Sequence, residues 1–216
     1  MKLAVLFPGI GYTCDKPLLY YAGKLAQGLG YELKRVEYGN FPAGIKGDQE
    51  KMKAAFESAL TQTEEILKDV DFAQYEDILF ISKSVGTVVA ACYRQKYHIA
   101  CRSISFTPLE ETFMFIEVSP AGGSSAGAHD IVPTDTMPHE CVSAGGIMFH
   151  GTKDPWAQDS SVIRKGCERI GQLLYITENG NHSLETGNVA LDIANLQKIM
   201  EQVEAYIKSG IAEEAL

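Results

Sequence analysis

The join between residues 77 and 97 constrains the fold more than any other stretch of the chain. A continuous apolar run, DILFIS at 77–82, passes through Ser82-Lys83-Ser84-Val85-Gly86 directly into VVAACYRQKY. The run does not alternate apolar with polar residues. As a strand it must therefore be buried on both faces, the condition of a strand in a parallel sheet covered by helices. Residues 85–97 read as one of those helices, starting with no intervening loop.

The same unit recurs along the chain. Runs at 2–7, 32–38, 101–106, 146–150 and 173–177 have strand character, and segments 17–29, 49–70 and 189–208 read as helices. In 49–70, Met52, Phe56, Ala59, Leu60, Thr63 and Leu67 recur at helical spacing. In 189–208, Val189, Ile193, Leu196, Met200, Val203 and Ile207 mark the expected buried face. The alternation predicts an α/β fold, a three-layer α/β/α sandwich around a mostly parallel sheet of about six strands. With 216 residues, 45% of them hydrophobic and 22% charged, the chain can bury the core of a single domain spanning 1–216. One stretch breaks the pattern. Residues 109–145 contain Pro120, Pro133, Pro138 and the run AGGSSAGA, and are expected to form a cap or flap.

Charge and cysteine usage narrow the partners. A formal net charge of −9 and a pI near 5.1 disfavour nucleic acid and anionic membranes. Cys14, Cys92, Cys101, Cys141 and Cys167 are scattered and form no C-x-x-C pair, so free thiols and a cytoplasmic location are expected. The opening MKLAVLF is broken by Pro8 and Gly9 and reads as a buried strand rather than a signal segment. No apolar run is long enough to span a bilayer. Nothing in the sequence specifies an oligomeric state.

The chemistry is concentrated at the join. Small-x-Ser-x-Gly between a strand and a helix is the pattern of a nucleophile on a tight, strained turn, with its hydroxyl exposed above the sheet. The residues two before and two after such a nucleophile must be small, and Ser82 and Gly86 meet that demand around Ser84. Ser82 itself is excluded as nucleophile, because Phe80 would then fill a crowded position. The N-terminus of the following helix presents backbone N–H groups to developing negative charge.

A serine needs a base, and the base needs an orienting acid. After GIMFH comes Gly151-Thr152-Lys153-Asp154-Pro155-Trp156, and after LLYIT comes Glu178-Asn179-Gly180-Asn181-His182-Ser183. Each loop lies at the C-terminal end of a strand, where open α/β sheets build their sites. The order Ser84, Asp154, His182 is that of a nucleophile elbow with its triad partners. Asp159 is a second candidate acid, but it is set further from the strand, where the next helix is expected to begin. Two backbone N–H groups should bind an oxyanion: that of Val85 and one from the loop Pro8-Gly9-Ile10-Gly11-Tyr12, with Ile10 the expected donor. Tyr12, Cys14 and Trp156 flank the site and are expected to line a substrate pocket. His129, Asp130, Asp135, His139 and Cys141 cluster within the insert, but their spacing fits no common zinc pattern, so neither metal nor other cofactor is expected.

On FPGIGYT, SKSVG, GTKDPW and GNHSLE, the chain resembles the α/β-hydrolase superfamily over nearly its whole length. It is most similar to the small, compact members of dienelactone-hydrolase-like or uncharacterised esterase type. The resemblance implies a sheet lacking the first two edge strands of larger members, with the insert following the sixth family strand. It implies a carboxylesterase- or thioesterase-like serine hydrolase that cleaves an ester, thioester or amide bond of a small acyl substrate through an acyl-enzyme. Ser84, Asp154 and His182 take the triad roles, and the N–H groups of Ile10 and Val85 form the oxyanion hole. Two alternatives stand beside it: a non-catalytic small-molecule binding module on the same fold, and an acyltransferase sharing the acyl-enzyme.

Overall fold

The computed structural model describes residues 1–41, 44–45, 48–116 and 145–210. Six strands form one sheet: β1 (Lys2–Phe7), β2 (Tyr31–Arg35), β3 (Asp77–Lys83), β4 (Arg102–Phe106), β5 (Gly146–Gly151) and β6 (Leu173–Thr177). The order across the sheet is β2-β1-β3-β4-β5-β6 and every pairing is parallel. Five helices complete the three layers: α1 (Pro17–Gly28), α2 (Gln49–Leu67), α3 (Val85–Lys96), α4 (Ser160–Ile170) and α5 (Val189–Ser209).

Because side chains alternate along a strand, each strand feeds two cores. Leu6, Leu79, Ile81, Ile104 and Phe149 point to one face, where they pack with α1 and α5. Leu3, Val5, Phe7, Ile78 and Phe80 point to the other and pack with α2 and α3. Met148 joins Ile163, Cys167 and Ile170 of α4 on that second face. The continuous apolar run of β3 is explained by this double burial, since residues 78–83 are all buried.

The chain runs from β1 outward to β2, then crosses back to β3 and proceeds in the opposite direction. The strand order therefore reverses between β1 and β3, and sheets of this kind open a crevice at the C-terminal ends of such strands. The loop after β1 and the turn after β3 carry the proposed oxyanion donors and Ser84, so topology brings Ile10 and Ser84 to one crevice.

The helix expected to begin near Asp159 is α4: the Asp159 side chain accepts from the Ser161 N–H at 2.9 Å, and the helix ends at Gly171 with φ +68°. Its sequence, SSVIRKGCERI, has too few apolar residues to stand out by hydrophobicity alone. The start of α5 does not face the core: Val189 and Ile193 are 74% and 65% exposed, and burial begins at Ile199, Val203 and Ile207. Those first turns lie beside Tyr12, Leu18 and the 183–187 loop, bordering a groove of ≈ 450 Å³. Of the insert 109–145, residues 109–116 and 145 are described and include a 3-10 turn, Glu110–Met114. The expected cap and the group His129, Asp130, Asp135, His139 and Cys141 otherwise lie outside the described residues. Among those described, no helix is long and apolar enough to cross a membrane.

Candidate active site

Ser84 sits at the N-cap of α3 with φ +56° and ψ −128°, a backbone conformation that non-glycine residues rarely adopt. Its surroundings hold it there. A Cβ on Gly86 would lie 2.3 Å from the Phe7 carbonyl oxygen and 2.4 Å from that of Pro8. A Cβ on Gly9 would lie 3.0 Å from the Ser84 Cβ. The demand for a small residue at 86 thus comes from the end of β1, not from a meeting with Ser82. The Ser82 hydroxyl is within 3.3 Å of both the Ile104 carbonyl and the Ser105 hydroxyl, tying it to β4. The Thr87 hydroxyl donates to the Ser84 carbonyl at 2.6 Å and lies 2.7 Å from that of Thr112, joining the elbow to the 3-10 turn.

The structure brings the three sequence-predicted residues together. His182 Nε2 is 2.7 Å from Ser84 Oγ, and His182 Nδ1 is 2.7 Å from Asp154 Oδ2. The second carboxylate oxygen of Asp154 accepts from the Trp156 N–H at 2.9 Å. Asp154 is only 1% exposed. Burial pushes its carboxyl upward, but the hydrogen bond and charge of His182, with the Trp156 N–H, outweigh it and hold the group below the usual aspartate range. An ionised Asp154 accepts the Nδ1 proton of neutral His182 and leaves Nε2 as the acceptor facing Ser84.

Backbone bonds lock the two partner loops to each other. Lys153 N–H donates to the Gly180 carbonyl at 2.9 Å, and a Cβ on Gly151 would lie 2.3 Å from the same oxygen. The Asn181 side-chain oxygen accepts from the N–H groups of Ser183 at 2.7 Å and Glu185 at 3.2 Å, folding the chain around His182.

The loop after β1 is a tight turn in which Gly9 and Tyr12 exchange hydrogen bonds of 3.0 and 3.2 Å, with Gly11 at φ +73°. The Ile10 N–H takes no part in that exchange. The Val85 N–H belongs to the first turn of α3, where helices have no internal acceptor. Both residues line a cavity of ≈ 340 Å³ with Ser84, His182, Tyr12 and Trp156. The Tyr12 hydroxyl accepts from the Leu18 N–H at 3.0 Å, and burial pushes the pKa of this phenol up to about 12, so the ring is a neutral wall. Cys14 departs from expectation. It is 4% exposed, packs in the core beneath α1, and its thiol reaches the Val36 carbonyl at 3.9 Å rather than the cavity. Burial pushes that thiol up to about 11. Cys14 stands two residues past Tyr12, and that short step turns its side chain inward.

Sequence reasoning missed two features. A second cavity of ≈ 750 Å³ adjoins the first and shares Val85, Leu109, Met52 and Trp156 with it; Phe56 and Phe115, with ring centroids 6.1 Å apart, make it strongly apolar. Its walls come from α2, α3 and the 3-10 turn, and no local pattern joins them. Lys83 also lines the first cavity. Its signal was legible: a lysine ending an otherwise apolar strand.

No family model matches the chain, and neither does any curated protein sequence. Solved structures do match. A proposed hydrolase of the alpha/beta superfamily from Xanthomonas campestris pv. campestris superposes with TM-score 0.56 at 13% identity, covering 96% of this chain and 97% of that one. An alpha-beta serine hydrolase homologue from Coxiella burnetii gives 0.59 at 12%, over 94% and 84%. Est1E from Butyrivibrio proteoclasticus, also solved with ferulic acid bound, gives 0.62 at 12%, over 98% and 89%. With its six-stranded parallel sheet and flanking helices, the chain has the α/β-hydrolase fold.

Proposed function

We propose that the protein is a serine hydrolase that cleaves an ester or thioester through an acyl-enzyme on Ser84. The observation that carries this reading is the unbroken chain Ser84 Oγ–His182 Nε2 and His182 Nδ1–Asp154 Oδ2, both links 2.7 Å, built on a strained strand-to-helix turn. A buried network serving only stability would have no reason to hold a serine at positive φ with a base on its hydroxyl.

The steps follow from the geometry. His182 Nε2 takes the Ser84 proton as Oγ attacks the substrate carbonyl carbon. The Ile10 and Val85 N–H groups receive the negative charge that develops on the carbonyl oxygen. His182 returns the proton to the leaving alcohol or thiol as the carbon–oxygen or carbon–sulfur bond breaks. Water then attacks the acyl-enzyme, again giving its proton to Nε2, and Ser84 is released with the carboxylic acid. Asp154 stays ionised and stabilises the imidazolium at both stages. The ≈ 750 Å³ cavity gives an apolar part of the substrate a place beside the reacting bond. The names of the structural neighbours, an alpha-beta serine hydrolase homologue among them, agree with this chemistry.

Mass spectrometry after treatment with a fluorophosphonate tests the reading. The expected result is one adduct, on Ser84, absent from Ser84→Ala, together with turnover of aryl esters. A folded wild-type protein that takes up no label would overturn it.

A further inference from the structure

The residue before the nucleophile, Lys83, is a lysine in no ion pair among the described residues. Lys83 is 2% exposed, although it is the last residue of β3 and lines the same cavity as Ser84 and His182. Its stem runs past Gly9, whose Cβ would lie 3.4 Å from the Lys83 Cδ, and its Nζ stands 4.8 Å from the centre of the Tyr12 ring. Among the described residues the ammonium makes this cation–π contact and has neither an ion pair nor a hydrogen bond. Buried lysines are almost always paired, because desolvating the charge without an acceptor is costly. A ring face offsets only part of that cost.

We propose that Lys83 is a specificity residue and that the substrate carries a carboxylate on the side of its scissile carbonyl nearest Tyr12. This rests on the serine-hydrolase reading and deepens it. Being adjacent to Ser84 on a rigid turn, Lys83 stands in a fixed relation to the reacting carbonyl. The cavity it lines meets the apolar one beyond Trp156, so the substrate is anionic at one end and apolar at the other. A carboxylate supplies both the opposite charge and the acceptor that the ammonium lacks. Burial drives Lys83 down to about 7, and the nearby charges of Asp154 and Glu185 raise it only in part. Near neutral pH a bound carboxylate therefore holds the proton on the amine.

The test compares 4-nitrophenyl hydrogen succinate, glutarate and adipate with neutral esters in which an isopropyl group replaces the carboxylate. The wild-type enzyme should show kcat/KM at least about 10-fold higher for one anionic ester than for its neutral isostere. Lys83→Met should lower that ratio by about 30-fold, the worth of one hydrogen bond to a charged group. The ratio cancels any loss of folded protein or of elbow geometry common to both esters. Fluorophosphonate labelling of Ser84 is measured alongside. If Ser84 is labelled but no anionic ester is preferred, or Lys83→Met leaves the ratio unchanged, the Lys83 assignment falls alone. If Ser84 is not labelled and no ester turns over, the hydrolase reading falls and takes this one with it.

Discussion

At the scale of single residues, the site depends on contacts of atomic closeness. In the proposed mechanism Asp154 acts only through His182, so Asp154→Asn should keep the shape of the site while losing the tautomer that leaves Nε2 free to accept. We expect kcat to fall by about 10⁴-fold with little change in KM, measured by steady-state ester kinetics. Gly86 is a different case. A methyl group there would stand 2.3 Å from the rigid Phe7 carbonyl, so β1 and α3 must part. Gly86→Ala should destabilise the protein by about 3 kcal/mol, at the upper end of overpacking costs, read as a lowered urea midpoint. The meeting of Ser84, His182 and Asp154 was legible because the elbow, the chain order and the strand-end positions are local facts. Cys14 was misread because its distance from the site in sequence says nothing about which way its side chain turns.

At the scale of elements, the loop after β6 is held by side chains along its length, with Thr152 at its start, Asn181 around His182 and Asp192 at its end. The Asn181 side chain accepts from two N–H groups just after His182, those of Ser183 and Glu185, while the backbone of 180–185 bonds to both the Asp154 loop and itself. Asn181→Ala should loosen His182 without emptying any core. A drop in kcat of about 10- to 100-fold is expected from imprecise placement of the base, with the thermal midpoint almost unmoved. Simultaneous losses in activity and thermal midpoint would show that the loop is structural instead. At the other end of that segment, Asn188 accepts from the Leu191 N–H at 3.2 Å as the N-cap of α5. Asn188→Ala should cost about 1 kcal/mol in denaturant unfolding. The two asparagines thus separate function from stability within one connection. The same segment shows the limit of periodicity. The apolar face of α5 was drawn through Val189 and Ile193, but a helix has a buried face only where another element covers it, and α5 reaches its cover from Leu196 onward.

At the scale of the whole molecule, buried ionisable groups make stability depend on pH. Lys83 sits near 7 in the fold, against its ordinary value of 10.5. Between those limits the unfolded chain holds the proton more tightly, so the contribution of Lys83 to stability grows with pH and is lost as pH falls toward 7. Buried tyrosines and thiols, whose pKa values are pushed up by burial, act in the opposite sense above about pH 8.5. The wild-type unfolding free energy should therefore rise relative to that of Lys83→Met between pH 7 and 8.5, measured by urea denaturation; parallel curves would contradict the burial of this charge. His150, held below the ordinary histidine range by burial, and Asp154, held low by His182, both lose their contributions as pH falls, the first below about 6.5 and the second below about 4. The sequence by itself determined the strand–helix alternation, the parallel sheet, the elbow and the order of its partners, because each depends on residue type at short range along the chain. Only the tertiary structure decided which groups are buried against one another: the carbonyl that excludes a side chain at Gly86, the inward turn of Cys14, the apolar cavity assembled from α2, α3 and the 3-10 turn, and the burial of Lys83 against the Tyr12 ring. Burial and distance arise between segments far apart in sequence, and no local pattern encodes them.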